Sequence, residues 1–313
     1  MSVTTAGDVA SAGPPGKLVR PGRPGGRGRT ASAYLMLAPV LVIFAVFLAY
    51  PLLGAFTTSL TDATGIGAAR GVGLANYRDM LADPVFWRAT GNTVLLTVVS
   101  VPLVLGSGLG LATLLLRNLP GRPVFRALFL APYVISGVVV AMTGHWIFDE
   151  NVGVVNRALR ALGSDGVAWQ SSSGAAMVSV LVMLVWARSG LAVIVYLAAL
   201  QEVPQQLIEA ATLDGAGRWQ RLRYVVLPQL RPTTFFLAVI MVIETFRTFD
   251  VVYVMTKGGP QHATELLVTY SYAQGFAARA QGYGSAIGVT VFVVVLVGTV
   301  LWWRAQARTE ADL

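Results

Sequence analysis

Along most of this chain apolar residues do not alternate with polar ones; they come in unbroken blocks. A membrane-crossing helix needs about 20 consecutive, mostly apolar residues. Six blocks qualify, near residues 33–57, 92–116, 126–148, 175–200, 233–256 and 283–303. Arg27 and Arg29 precede the first block as they would precede a secretion signal. Its apolar run is too long for a signal core and lacks a small-residue cleavage site, so the pattern predicts an uncleaved span.

Between the fourth and fifth blocks the pattern changes. Pro204 suits the first turn of a helix, where its missing N–H costs nothing. Gln205 to Leu213 are good helix formers with Leu207, Ile208 and Ala211 on one face and Glu209 and Thr212 on another. Gly215, directly after Asp214, predicts a left-handed stop. Nine residues at about 1.5 Å each are too short to cross a membrane. A second amphipathic stretch from Arg218 to Leu227 follows, and Pro228 and Pro232 lead into the fifth block.

The predicted fold is an all-α integral membrane protein with six transmembrane helices and a short helical loop between helices 4 and 5. Composition agrees: 55% of the 313 residues are hydrophobic and 12% charged, against about a quarter charged in soluble domains. Residues 1–30, rich in Gly, Pro, Ala and Ser, are expected to be a disordered tail. Residues 31–304 form the six-helix domain and 305–313 a second tail. An even number of spans places both termini on one side. With the amino terminus inside, the inner segments hold fourteen basic residues, including Lys17, Arg20, Arg23, Arg117, Arg122, Arg126, Arg218, Arg221, Arg223 and Arg231, and the outer loops seven. Cytoplasmic loops are the Lys/Arg-rich ones, so both termini and the short helix are expected in the cytoplasm.

The net charge of +8 does not indicate nucleic acid, because the basic residues lack the clustered stripe that tracks phosphates. With no cysteine there are no disulfides or thiolate metal sites, and the two histidines, His145 and His262, lie far apart. No GxxxxGK[ST] loop is present to cradle nucleotide phosphates. "GSGLGLA" from Gly106 reads as small-residue span packing, since no strand precedes it as a dinucleotide site requires. No nucleophile, base and orienting group converge as an enzyme would need.

Glu244, Arg247 and Asp250 recur every three residues in the fifth block, where they share a face and pair at helical spacing. Charges at membrane depth face the bundle interior or a watery path. Phe249 and Tyr253 beside them suit sugar rings, which combine apolar CH faces with hydroxyl rims. Arg188 in the fourth block is expected to neutralise Glu244 or Asp250, or to meet a partner subunit. The competing reading of all these charges is a self-satisfied structural network. Trp186 and Tyr196 read as packing, and His145 beside Trp146 as an interfacial residue.

The loop resembles a known signature: Glu-Ala-Ala, three residues, Gly, nine residues, a branched aliphatic, one residue, then Leu-Pro. Glu209, Ala210, Ala211, Gly215, Val225, Leu227 and Pro228 occupy it, with Asp214, Gly215 and Ala216 in the fuller form. Val225 stands where isoleucine is usual. "GLANY" from Gly73, "WIFDENVGVVNRAL" from Trp146 and "FRTFDVVYVMTKGGPQHATELL" from Phe246 extend the likeness from about Ala33 to Arg304. The chain thus resembles the permease subunits of binding-protein-dependent ABC importers of the maltose-type carbohydrate branch.

The resemblance implies a coupling helix that seats on an ATPase subunit through Glu209. It also implies a heterodimer with a second permease, two ATPase subunits holding ATP and Mg, an extracytoplasmic solute-binding protein and a place in the bacterial cytoplasmic membrane. No cofactor is expected on this chain, which would be no enzyme itself. Two alternatives stay open: a permease for a non-sugar solute such as glycerol phosphate, and a self-contained ion-coupled transporter. The latter would be expected to carry an internal repeat, and none is evident.

Overall fold

The computed structural model of the chain describes residues 27–116 and 120–311. Lys17, Arg20, Arg23 and Arg117, four of the charges that orient the sequence, lie outside these residues, as does most of the segment 1–30. Residues up to Leu52 and residues from Leu53 onward form two compact units.

In the first unit, α1 (Arg27–Phe44) continues through a π-helical turn, Ala45–Ala49, toward α2 (Tyr50–Ser59). Pro51 has no N–H to offer the preceding turn, and the ladder relaxes so that the Tyr50 amide donates to the Ala45 carbonyl. The same device recurs before Pro228: after α10 (Arg218–Arg221) a π turn, Leu222–Val226, leads into α11 (Leu227–Gln229), with the Leu227 amide donating to the Leu222 carbonyl.

The second unit continues with α3 (Ala75–Ala82), α4 (Pro84–Leu115), α5 (Arg122–Val134), α6 (Gly137–Ile147), α7 (Val154–Ala161), α8 (Ser173–Glu202) and α9 (Gln205–Leu213). After α11 come α12 (Arg231–Phe246), α13 (Asp250–Met255), α14 (Leu267–Tyr272) and α15 (Gln281–Ala311). Among the described residues four stretches are long and apolar enough to cross a membrane: Leu35–Ser59, Pro84–Leu115, Ser173–Glu202 and Gln281–Arg304. Two bent pairs bring the count to six: α5 with α6 at 101°, and Arg218–Gln229 with α12 at 68°.

The third and fifth apolar blocks are each interrupted, not the straight helices that hydropathy predicts. The third breaks at Ile135–Ser136, just after Pro132, which cannot continue the ladder. The fifth breaks at Arg247–Phe249, between α12 and α13. There Thr245 and Thr248 turn their hydroxyls back onto the carbonyls of Met241 and Glu244, a bond that weakens and bends helices. Hydropathy counts apolar residues and is blind to both breaks. Non-helical backbone at membrane depth is tolerated where it lines a cavity or is buried in protein.

Among the described residues three apolar clusters hold this unit. Val104 and Ala112 of α4, Val193 and Tyr196 of α8, and Leu237 and Met241 of α12 form the first. Leu96, Val140, Met183, Val252 and Leu266 join α4, α6, α8, α13 and the loop before α14 in the second. Met80, Phe86, Tyr270 and Ile287 tie α3, α4, α14 and α15 in the third. The small-residue stripe acts as expected at one register: a Cβ on Gly108 would stand 2.4 Å from that of Ala192, whereas Gly106 and Gly110 meet nothing. Ser107 and Ser189 hydrogen-bond at 2.8 Å beside this contact.

Candidate functional site

The short helix forms as its sequence dictates. Pro204 is the residue before α9, and Gly215 ends it with φ +78°. The Asp214 amide donates to the Ala210 carbonyl and the Ala216 amide to that of Ala211, closing the last turn. Arg221 of α10 donates to the Thr212 hydroxyl at 2.6 Å, bracing α9 against the second segment. Glu209, Ala210, Asp214 and Gly215 are exposed, while Ala211, Ala216, Leu227 and Pro228 are half-buried. Leu207, Leu213, Trp219 and Tyr224 also stand in the open, Leu213 at 90%.

The second candidate region surrounds the break in span five. A cavity of about 210 Å³ is lined by Tyr133, Gly137, Arg188, Glu244, Arg247, Thr248, Phe249 and Asp250, among others. Tyr133 and Gly137 come from the two sides of the α5–α6 break, so both broken spans meet at this cavity. Gly137 lets the two breaks approach closely: a Cβ there would press on the Asp250 carboxylate, which would have to shift.

The charges pair only in part as their spacing predicts. Glu244 and Arg247 approach to 3.6 Å with exposed side chains, a weak screened pair. Asp250 lies beyond the helix break and forms no ion pair among the described residues, so the three charges do not make one helical stripe. Arg188 meets neither carboxylate. Its guanidinium donates to the Glu244 carbonyl at 2.7 Å and to the hydroxyls of Thr245 at 2.8 Å and Thr248 at 2.6 Å. A cation there satisfies a carbonyl at the C-terminal end of α12, where the helix dipole also favours positive charge. Tyr253 does not line the cavity, but its ring stacks on Phe249 at 4.9 Å.

Sequence reading missed Tyr133, Gly137, Thr245 and Thr248. The two threonines at three-residue spacing were a usable signal for a local break; the other two are recruited only by tertiary approach. Tyr196 is buried and bonds Thr234, in keeping with packing, and Trp186 is exposed. His145 meets Gln170 at 3.1 Å, and His262 meets Glu265 at 3.3 Å. Among the described residues no group of three or more His, Cys, Asp and Glu could hold a metal ion.

Comparison with known proteins adds a lineage to this geometry. Residues 102–306 match the family described as binding-protein-dependent transport system inner membrane component. The chain is 35% identical over 274 residues to the trehalose/maltose transport system permease protein MalF of Thermococcus litoralis, covering 87% of this chain and 92% of that one. It is 35% identical over 277 residues to the sulfoquinovosyl glycerol transport system permease protein SmoG of Agrobacterium fabrum, covering 87% and 89%. A crystal structure of a bacterial ABC transporter involved in the import of the acidic polysaccharide alginate contains a chain that superposes with a TM-score of 0.79 at 25% identity, over 90% of this chain and 96% of that chain.

Proposed function

This chain belongs to the binding-protein-dependent transport system inner membrane component family and is a membrane-spanning permease of an ABC importer; from that premise we propose that its solute is a sugar or oligosaccharide delivered by an extracytoplasmic binding protein. The observation that carries the solute class is the cavity at the two broken spans, where guanidinium, carboxylate and hydroxyl groups converge beside the Phe249 ring. Those groups suit a molecule with hydroxyl edges and apolar CH faces. The relatives named for trehalose/maltose and for sulfoquinovosyl glycerol support the same class. A phosphorylated solute such as glycerol phosphate fits less well, because Glu244 and Asp250 stand beside the two arginines.

In this reading α9 is the coupling helix. It faces the cytoplasm with both termini, and Glu209 engages a groove of an ATPase subunit. Two such subunits bind ATP and Mg in trans, and their closure moves α9 and turns the cavity outward. A second permease completes the pathway as a heterodimer. Driving such a change from 1:99 to 99:1 takes about 5.5 kcal/mol of differential interaction, and a surface gripped equally in both states shifts nothing. The exposed apolar side chains of Leu207 and Leu213 and the flanking Trp219 offer the ATPase a surface to grip.

Reconstitution tests the proposal. The chain alone in liposomes should neither hydrolyse ATP nor accumulate labelled sugar. With its companion permease, ATPase and binding protein it should do both. Ion-driven uptake by the lone chain would overturn the reading in favour of a self-contained transporter using Glu244, Arg247 and Asp250.

A further inference from the structure

Four aromatic rings form a strip that starts at the cavity and leaves it. Phe249, in the cavity wall, stacks on Tyr253 at 4.9 Å; Tyr253 meets Tyr272 edge-on at 5.3 Å; Tyr272 stacks on Phe276 at 5.1 Å. The rings come from separate elements. Phe249 and Tyr253 flank and occupy α13, while Tyr272 ends α14 and Phe276 sits in the π turn Ala273–Ala277. Their four-residue spacing puts Tyr272 and Phe276 on one face.

The strip is not core. On α13, Val251, Val252 and Met255 are buried and pack the bundle, whereas Tyr253, Tyr272 and Phe276 remain open at 40%, 37% and 67%. It is also ill suited to lipid. A tyrosine hydroxyl removed from water needs a partner, and among the described residues neither the Tyr253 nor the Tyr272 hydroxyl has one. Both hydroxyls are open to water or to a hydroxyl-rich ligand.

Size decides how much ligand the strip serves. The cavity, at about 210 Å³, is smaller than the roughly 300 Å³ at which small-molecule pockets begin. It holds part of a solute, and the aromatic strip is the surface continuous with it. We propose that Phe249, Tyr253, Tyr272 and Phe276 form a stacking track on which the successive rings of a carbohydrate of at least two rings lie, one end seated in the cavity. This rests on the permease reading above.

The chain has no cysteine, so a label found on this chain reports the single replacement alone. Tyr272→Cys and Phe276→Cys are to be probed in the complete complex in membranes with a charged, membrane-impermeant thiol reagent. The solutes are a panel of neutral trisaccharides and their component monosaccharides. Both cysteines should react, and a transported trisaccharide should slow the reaction at least fivefold where its monosaccharide does not. Tyr272→Leu and Phe276→Leu should raise the half-saturating trisaccharide concentration in uptake by about tenfold. Unreactive cysteines would mean that lipid or the second permease covers the strip. That result, equal reaction rates with and without a transported trisaccharide, or uptake of monosaccharides alone, overturns the track and leaves the permease role standing. A wild-type complex lacking ATP-driven sugar uptake would instead overturn the permease reading.

Discussion

At the Ser173 end of α8 the loops are tied to themselves, whereas at the Glu202 end they are left unfinished. Near Ser173 the Glu150 carboxylate accepts from the amides of Gln170 at 2.7 Å and Ser171 at 2.5 Å and from the Ser171 hydroxyl at 3.0 Å. The buried Asn156 spans the same loop, donating to the carbonyls of Glu150 and Val167 and accepting from the Val167 amide and the Trp169 indole. Arg160 reaches back to the carbonyls of Glu150 and Asn151. Past Glu202, α9 and α10 share the Arg221–Thr212 bond, while Leu207, Leu213 and Trp219 face outward. The first end satisfies its polar groups internally. The second exposes apolar side chains among charged ones, the surface that the proposed coupling role would use. Polar groups are paired within the loop at one end, and at the other apolar side chains are left uncovered.

The largest expected effect breaks function at the unfinished end alone. Glu209→Lys reverses the charge of an exposed residue and should cut ATP-driven uptake by the reconstituted complex on the order of 100-fold, near the upper range of coupling energies. Membrane insertion and thermal stability should not change. Normal uptake by this variant would remove α9 from the coupling role.

Arg188→Met tests the region between the two ends. It strips a half-buried guanidinium from the Glu244 carbonyl and the hydroxyls of Thr245 and Thr248, at a cost of about 3 kcal/mol. Here stability and uptake should fall together, with a lower melting temperature in detergent. Unchanged melting would show that the break in span five holds without this clamp.

Asn156→Ala should do the reverse of Glu209→Lys. Loss of its four bonds costs about 2 kcal/mol and should speed amide hydrogen exchange across residues 148–171, leaving α9 unaffected. Equal protection in the variant would mean that the loop is held by other contacts.

The smallest effect is a pH dependence of the same loop. Burial alone would raise the Glu150 carboxyl, but bonds from the Gln170 and Ser171 amides and the Ser171 hydroxyl outweigh it and lower the pKa; those from Val152 and Asn151 amides lower that of Asp149. A depressed folded-state pKa contributes stability above the unfolded value that is lost as pH falls through the folded value. Exchange in residues 148–171 should therefore quicken as pH drops below about 4, near the ordinary carboxylate pKa values, once the intrinsic pH dependence of exchange is removed. Glu150→Gln should flatten that response.

The apolar blocks and the short helix were legible in the sequence because each follows from neighbours within a turn or two. Pro204, the 205–213 face and Gly215 define α9 without help from elsewhere. The specific Glu-Ala-Ala to Leu-Pro spacing carried the family likeness for a similar reason, being one contiguous segment. Hydropathy likewise located spans but not their shape, since Ile135–Ser136 and Arg247–Phe249 lie inside apolar runs. Glu244, Arg247 and Asp250 look like a helical stripe only if the helix continues.

What the sequence determined by itself was the number of apolar crossings, the position of the exposed helix and the residue types available for charge and stacking. The tertiary structure decided which of them meet. Arg188 and Thr248 are sixty residues apart and bond at 2.6 Å; Gly137 touches Asp250 across two helix breaks; Tyr272 joins Tyr253 from another element. Local backbone preferences act over a few residues and can be read in order along the chain. Contacts between distant segments depend on how all the spans pack at once, and no local pattern encodes which distant partner fills a given space.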